Sequence, residues 1–182
     1  QAYGKLKIAP KKMGIDILTV SGHKIHGPKG IGFLYIRKGV DALPYIDGGA
    51  QESGHRAGTE NVASIVGMAA ALKNNCDTLS NNQVHLRQLE KKILETLVAN
   101  DMRFVRNGGS NTLPGLLSLA FPGKEGESIL HRMDLMGISI STGSACDSVN
   151  TQISHVLKAI QLDEKYAKGT IRISLGKNNT EA

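Results

Sequence analysis

The sequence of 182 residues contains no tryptophan, two cysteines and few aromatic side chains. Phe, Trp and Tyr together make up 4% of the sequence, so few aromatic side chains are available to stack on the bases of single-stranded nucleic acid. Cys76 and Cys146 are far apart, which excludes a framework of several disulfides and favours a reducing, cytoplasmic compartment. No apolar run approaches the roughly 20 residues that a membrane span requires. The sequence therefore predicts a soluble globular protein.

The charge is positive but not clustered. Lys and Arg number 22 against 16 Asp and Glu, a net charge of +6, yet only short basic pairs such as Lys11–Lys12 occur. We therefore expect attraction for anionic ligands rather than nucleic-acid binding. The 21 glycines exceed the roughly 7% of average proteins, which favours tight turns or a close approach of backbone to a ligand.

The pattern of apolar residues predicts an α/β protein with a domain change near residue 80. The sequence starts without Met and ends at Asn179–Ala182, which resembles an N-cap whose helix is missing, and both features are typical of a fragment. Thr59 is the expected N-cap of a first helix ending near residue 74, and Ser80 with Gln83 forms a capping box for a second helix ending near 100. Further helices are expected at 127–136, closed by Gly137, and at 152–160. Strands are expected at 15–20, 31–36, 102–105, 116–121, 138–140 and 170–175.

Lys24 is the first candidate for chemistry. It follows a predicted strand in a loop that contains Gly22 and Gly27, where a ligand can approach the backbone. His23, His26 and Lys29 could supply the polar and cationic surroundings that a Schiff-base lysine uses. The alternative is an ordinary solvated loop lysine.

Cys146 is the second candidate. It lies in a loop of Ser, Thr and Gly, unlike a structural cysteine in an apolar stretch. Small neighbours leave such a thiol accessible, as a nucleophile requires. The alternative is a free surface cysteine. Cys76 is different, because it follows Asn74 and Asn75 at a predicted helix end, where a structural role is the preferred interpretation.

Arg172 is the third candidate. Strand alternation points Ile171 and Ile173 one way and Arg172, with Thr170 and Ser174, the other way. A guanidinium held on a strand can bind a carboxylate with two parallel hydrogen bonds. An exposed strand arginine is the alternative.

Other ligand motifs are weak. His23 and His26 lack an accompanying zinc pattern, and no nucleotide-binding glycine motif occurs. The stretch from Gly54 to Thr59 offers a cation, flexible backbone N–H groups and a helix start, which suits an anion. It could equally be only a helix cap.

Four blocks in sequence order carry a family resemblance. They are Ser21–Lys24 with Gly27–Gly30, Gly48–Glu52 running into Arg56–Asn61, Ser141–Cys146, and Ile171–Gly176. Together they resemble the C-terminal half of NifS/IscS-type cysteine desulfurases, which are class V enzymes dependent on pyridoxal 5'-phosphate (PLP). The resemblance covers essentially the whole chain. It implies the aspartate-aminotransferase fold, with the remainder of the large PLP domain at 1–79 and a truncated small α+β domain at 80–182.

The resemblance implies a role for each matching residue. Lys24 would hold PLP as the Schiff-base lysine, and Cys146 would form the persulfide and could serve as a transient iron–sulfur ligand; no other metal ligand is implied. The resemblance further implies cofactor contacts at Gln1, Ser21, His23 and Thr59, with Thr59 reaching the cofactor of the partner subunit, and a substrate carboxylate contact at Arg172.

The implied reaction converts L-cysteine to L-alanine in a cytoplasmic homodimer that passes sulfur to an iron–sulfur scaffold or a sulfur-relay protein. The family chain is about twice as long, and its ring-stacking histidine and ring-pairing aspartate precede Gln1. We therefore expect this chain alone to be inactive or nearly so. The Ser-x-Gly-Ser-Ala-Cys form of the cysteine block matches one family group, and not the Arg-x-Gly-His-His-Cys form of the selenocysteine-lyase group. A selenocysteine or sulfinate lyase, or a non-catalytic interaction module, remains the alternative.

Overall fold

The computed structural model describes residues 2–142 and 153–181. Within these ranges it contains five α-helices and five β-strands. The chain divides into two compact units, Gln1–Asn81 and Asn82–Ala182. No helix in the described ranges is both long enough and apolar enough to cross a lipid bilayer.

The first unit is built on two antiparallel strands and a long helix. Strand β1 is Ile17–Ser21, strand β2 is Gly32–Ile36, and helix α1 is Val62–Asp77. Both strands were predicted from their β-branched and aromatic content, and both are confirmed to within two residues at each end. At the end of the pair, Ser21 lies opposite Gly32. A side chain at Gly32 would collide with the carbonyl oxygen of Val20, so only glycine allows this pairing.

The core of the first unit lies where the two strands and α1 meet. Val20, Ile25 and Met68 are 4%, 1% and 7% exposed. Partly buried side chains complete this cluster: Tyr3, Leu18, Ile31, Phe33 and Leu72. Tyr3 and Phe33 meet edge to face, with ring centroids 5.4 Å apart.

The start of α1 differs from the prediction. Thr59 is not its N-cap, because the helix begins at Val62 and the Asn61 side chain accepts a hydrogen bond from the Ser64 N–H at 3.3 Å. Asn is a strong N-cap, so the asparagine two residues further on takes the position. Helix α2, Leu79–Ala99, follows after Thr78 alone. The predicted capping box at Ser80 is therefore wrong, since Ser80 lies inside the helix.

The second unit contains a three-stranded antiparallel sheet in the order β3-β4-β5. The strands are Val105–Arg106, Leu116–Ala120 and Thr170–Ser174. Beside α2, its helices are α3, Gly126–Leu135, α4, His155–Ala159, and α5, Glu164–Ala167. Leu117, Leu119, Phe121 and Ile171 form its core. The alternation of β4 buries Leu117 and Leu119 completely, at 0% exposed.

The end of α3 follows the sequence prediction. Gly137 has a φ of +77°, its N–H donates to the Asp134 carbonyl, and the Ile138 N–H donates to the Met133 carbonyl. These two bonds are the Schellman closure that a glycine after a helix favours. The strand expected at 138–140 is wrong, because these residues pair with no strand in the described part of the chain, and pairing begins at Ser141, through a bridge to Arg172. Helix α5 was not predicted, since four residues are too few for a helical period.

A buried carboxylate ties α2 to the sheet of the second unit. Glu90 is 2% exposed and accepts hydrogen bonds from Arg87 at 2.9 Å, Arg106 at 3.2 Å and the Gly115 N–H at 2.6 Å. Two guanidinium groups and one amide thus compensate the charge that burial removes from water.

Candidate active site

Lys24 stands on a single 3-10 turn, Gly22–Ile25, that joins β1 to the loop before β2. In such a turn, side chains three residues apart share a face. Gly22 and Ile25 accordingly face inward and are buried, whereas His23 and Lys24 are exposed. Ile25 thus anchors the turn in the core, and Lys24 is presented outward next to His23.

The turn is fixed at its N-terminal end by backbone contacts. The Gly22 N–H donates to the Ile31 carbonyl at 2.8 Å, and the Gly27 N–H returns to the Gly22 carbonyl at 2.9 Å. A Cβ on Gly22 would lie 2.8 Å from Ile31 Cγ2 and 2.9 Å from the Pro28 oxygen. Gly22 is therefore required for this close approach. His26, the residue that follows the turn, has a φ of +64°.

The side chains around the turn fit an aldehyde cofactor that carries a phosphate. Ser21, His23 and Lys24 are exposed, and within residues 2–142 and 153–181 their side chains have no hydrogen-bond or ion-pair partner. A hydroxyl and an imidazole can donate hydrogen bonds to a phosphate, and a primary amine can bind an aldehyde. The donor set is thus concentrated in four consecutive residues.

Thr59 is not part of this turn. It is exposed and lies three residues before α1, and it makes no hydrogen bond to Ser21, His23 or Lys24. The stretch before it is held by local bonds: the Ala57 N–H donates to the Ile46 carbonyl at 3.2 Å, and Gln51 accepts from the Gly58 N–H at 3.2 Å.

Arg172 lies in the middle of β5 in the second unit. Its backbone is opposite Ser118 of β4 on one side and pairs with Ser141 on the other. The predicted alternation is confirmed for Ile171, which is 3% exposed, and Arg172 is partly buried. Among the described residues its guanidinium has no partner. Thr170 is buried, and its hydroxyl donates to the Tyr166 carbonyl at 3.0 Å.

Two predicted site residues, Gln1 and Cys146, lie outside the described residues. The described chain reaches Thr142, four residues before Cys146. The Thr142 hydroxyl donates to Glu127 Oε1 at 2.7 Å, so residue 142 is tied to the first turn of α3.

A concavity of about 470 Å³ occurs in the second unit, and none of the predicted site residues is among those that line it. Arg87, Glu90 and Arg106 form much of its wall, and both arginines are already ion-paired with Glu90. It therefore carries no argument for the active site. Among the described residues, no cluster of three or more His, Cys, Asp or Glu side chains could hold a metal ion.

The sequence analysis missed Asn75 near the Lys24 turn. Its amide nitrogen donates to the Ile25 carbonyl at 2.7 Å. The two residues are 50 positions apart, so no spacing or periodicity could have paired them.

A model of the aminotransferase class-V family matches residues 1–182. The chain belongs to that family. Class-V aminotransferases and the cysteine desulfurases related to them are PLP-dependent enzymes. The fold class and the family resemblance expected from the four sequence blocks are confirmed.

Individual relatives of the chain carry the names cysteine desulfurase and NifS-like protein. The cysteine desulfurase IscS of Dictyoglomus turgidum is 40% identical over 189 residues, covering 100% of this chain and 46% of its own length. A solved NifS-like protein is 38% identical with a TM-score of 0.87, covering 100% of this chain and 46% of its own. A solved SspA, described as in complex with cysteine, is 35% identical with a TM-score of 0.73, over 99% of this chain and 49% of its own. The chain spans about half the length of the curated relatives it matches.

Proposed function

We propose that this chain carries the lysine, cysteine and arginine of a PLP-dependent cysteine desulfurase, which converts L-cysteine to L-alanine. The Lys24 turn is the observation that carries the proposal. It presents an exposed amine beside an exposed hydroxyl and imidazole, on a backbone anchored by the buried Ile25. Membership of the class-V family and relatives named cysteine desulfurase support the same reaction.

The residues of the first unit would hold the cofactor. Lys24 Nζ supplies the amine for its aldehyde, while Ser21 Oγ and His23 donate hydrogen bonds to its phosphate. Gln1 would contact the ring oxygen, and Thr59 would contact the phosphate in a partner subunit. When bound, PLP supplies an electron sink for loss of the substrate Cα proton.

The residues of the second unit would act on the substrate. Arg172 binds the substrate carboxylate, which fixes the amino acid in one orientation. The Cys146 thiolate attacks the substrate sulfur, so that a sulfur–sulfur bond forms as the Cβ–sulfur bond breaks. L-Cysteine and the Cys146 thiol thus give L-alanine and a Cys146 persulfide, with no external oxidant.

The domain, partner and compartment assignments belong to the same proposal. Residues 1–79 form the remainder of the large PLP-binding domain, and residues 80–182 form the small domain. The full enzyme is a cytoplasmic homodimer, and the persulfide sulfur goes to an iron–sulfur scaffold or another sulfur acceptor. The two compact units and the family membership support these assignments.

The proposal is tested by trapping PLP on the chain with borohydride and locating the adduct by peptide mass. We expect the adduct on Lys24, and we expect Lys24→Ala to abolish it. Lys29→Ala is the matched control, because Lys29 is an exposed lysine of the same loop and should leave the adduct unchanged. Adducts spread equally over the exposed lysines would contradict the cofactor assignment and favour the interaction module.

A second measurement separates cofactor binding from turnover. With PLP and L-cysteine, we expect the chain of 182 residues to give no steady production of alanine, because the ring-stacking histidine and the ring-pairing aspartate that the family resemblance implies have no counterpart in it. Steady alanine production would overturn that expectation. Faster turnover of L-selenocysteine than of L-cysteine would favour the selenocysteine-lyase alternative.

A further inference from the structure

The last carbonyl of the Lys24 turn needs a partner from elsewhere in the chain. Ile25 is 1% exposed, and a single-turn helix leaves the carbonyls at its end without partners of its own. Water does not reach this position, so an unpaired carbonyl here would be costly. The Asn75 side chain supplies the missing donor, with its Nδ2 atom 2.7 Å from the Ile25 oxygen.

Asn75 interrupts an apolar face of α1. Met68 and Leu72 belong to the core cluster of the first unit, and Asn75 comes seven and three residues after them. Helical spacing places these three side chains on one face. This apolar face would ordinarily continue with an apolar residue. The position is instead occupied by the polar Asn75, which is buried at 6% exposed. Because buried polar side chains need partners, the bond to Ile25 explains how an amide is tolerated there.

Asn75 also lies beside the first residues of the chain. Gly4 has a φ of +76°, and a Cβ on it would lie 3.3 Å from Asn75 Cβ and 3.6 Å from Ile25 Cγ2. Gly4 belongs to a turn in which the Lys5 N–H donates to the Ala2 carbonyl at 3.0 Å. Asn75 is therefore bonded to the turn that carries Lys24 and lies next to the turn that follows Gln1 in sequence.

We infer that Asn75 is a positioning residue for Lys24, acting through the Ile25 carbonyl. The backbone bonds of Gly22 hold the N-terminal end of the turn, and the Asn75 amide holds its C-terminal end. With both ends of the turn fixed, the Cα–Cβ bond of Lys24 points in one direction. The inference rests on the proposed function, in which Lys24 is the lysine that binds the cofactor.

The test removes the Asn75 donor in two ways. Asn75→Leu keeps a side chain branched at the same carbon without a donor, and Asn75→Ala removes the donor together with most of the side chain. Asn75→Gln keeps an amide donor on a longer stem. Asn74→Leu is the matched control, because Asn74 is the exposed neighbour on the same helix turn.

Two readouts are compared in the chain of 182 residues. The first is the exchange rate of the Gly27 amide hydrogen, which reports opening of its bond to Gly22. The second is the fraction of Lys24 trapped by PLP and borohydride. We expect Asn75→Leu and Asn75→Ala to raise the exchange rate at least tenfold and to lower the trapped fraction at least fivefold. Asn75→Gln should recover part of both effects, and Asn74→Leu should change neither.

The outcomes distinguish this inference from the proposed function. If the unaltered chain traps PLP on Lys24 and both donor-free variants trap it equally well, Asn75 has at most a structural role and the inference fails. If the unaltered chain traps no PLP, the proposed function fails, and the Gly27 exchange rate alone then decides whether Asn75 holds the turn. An unchanged exchange rate in both donor-free variants overturns the inference in either case.

Discussion

Ser141 and Arg172 are joined by an antiparallel backbone bridge. The Ser141 N–H donates to the Arg172 carbonyl at 3.1 Å, and the Arg172 N–H donates back to Ser141. Ser141 opens the sequence block that ends at Cys146, and Arg172 is the proposed carboxylate-binding residue. The bridge therefore ties the start of the cysteine block to the strand that carries the arginine.

The side chain next to this bridge should stabilise the second unit. Thr142→Val removes the hydroxyl that donates to Glu127, and we expect a loss of about 0.5–1 kcal/mol in the free energy of unfolding, because the bond is exposed. Urea denaturation followed by circular dichroism measures it. Thr142→Ser keeps the hydroxyl and should lose less. A loss in Thr142→Ser with no loss in Thr142→Val would contradict the role of the hydroxyl and assign the effect to packing of the Thr142 methyl group.

The buried carboxylate of Glu90 should matter more than an exposed one on the same helix. Glu90→Ala leaves Arg87, Arg106 and the Gly115 N–H without their shared acceptor, and we expect a destabilisation of about 3 kcal/mol. Glu95→Ala is the control, since Glu95 is exposed and pairs with Lys91 at 3.6 Å. It should cost less than about 1 kcal/mol in the same urea experiment. Similar losses for both would argue against a buried network.

Two glycines of the second unit should respond differently to a methyl group. A Cβ on Gly169 would collide with the carbonyl oxygen of Phe121, in a segment where the Phe121 N–H also donates to the Gly169 carbonyl. We expect Gly169→Ala to cost about 2 kcal/mol or more. A Cβ on Gly109 meets no atom within 4 Å, so Gly109→Ala should be neutral or slightly stabilising. Thermal unfolding compares the two variants. Equal shifts in their melting temperatures would contradict the collision expected at Gly169.

The exposed ion pair between Glu164 of α5 and Lys168, directly after the helix, should depend on pH. The Lys168 ammonium lies 2.9 Å from Glu164, and this hydrogen bond, followed by the charge attraction, lowers the carboxyl pKa below 4.5 and raises the Lys168 pKa above 10.5. The pair's contribution is complete between these ordinary values. It is lost as pH falls through the lowered carboxyl pKa or rises through the raised lysine pKa.

Carbon-detected NMR titration of the Glu164 carboxyl measures the shift. Lys168→Met should return its pKa towards 4.5. Lys165→Met is the control, because Lys165 pairs with Asp163 at 3.5 Å and should leave Glu164 unchanged. A carboxyl pKa unaffected by Lys168→Met would show that the ion pair does not form in solution.

Local signals explain which elements could be predicted. Gly137 ends α3 as expected because a positive φ directly after a helix is a property of one residue and its neighbours. The first turn of α1 was mislocated because Thr59 and Asn61 are both acceptable caps, and the choice depends on which one has its side chain free to meet the backbone. Residues 138–140 have strand-forming side chains but pair with no strand among the described residues, whereas the next residue, Ser141, pairs with Arg172.

The sequence by itself determined the family and the order of the candidate residues, because Lys24, Cys146 and Arg172 lie in short blocks whose composition and spacing are specific. It also determined that Lys24 follows a strand in a glycine-containing turn. Tertiary structure alone decided what holds that turn. Three contacts join residues far apart in sequence: the bond from Asn75 to Ile25, the bridge from Ser141 to Arg172 and the bond from Gly115 to the buried Glu90. Such contacts leave no period or spacing in the sequence, since they arise only when packed elements bring a buried polar group against the one partner that can satisfy it.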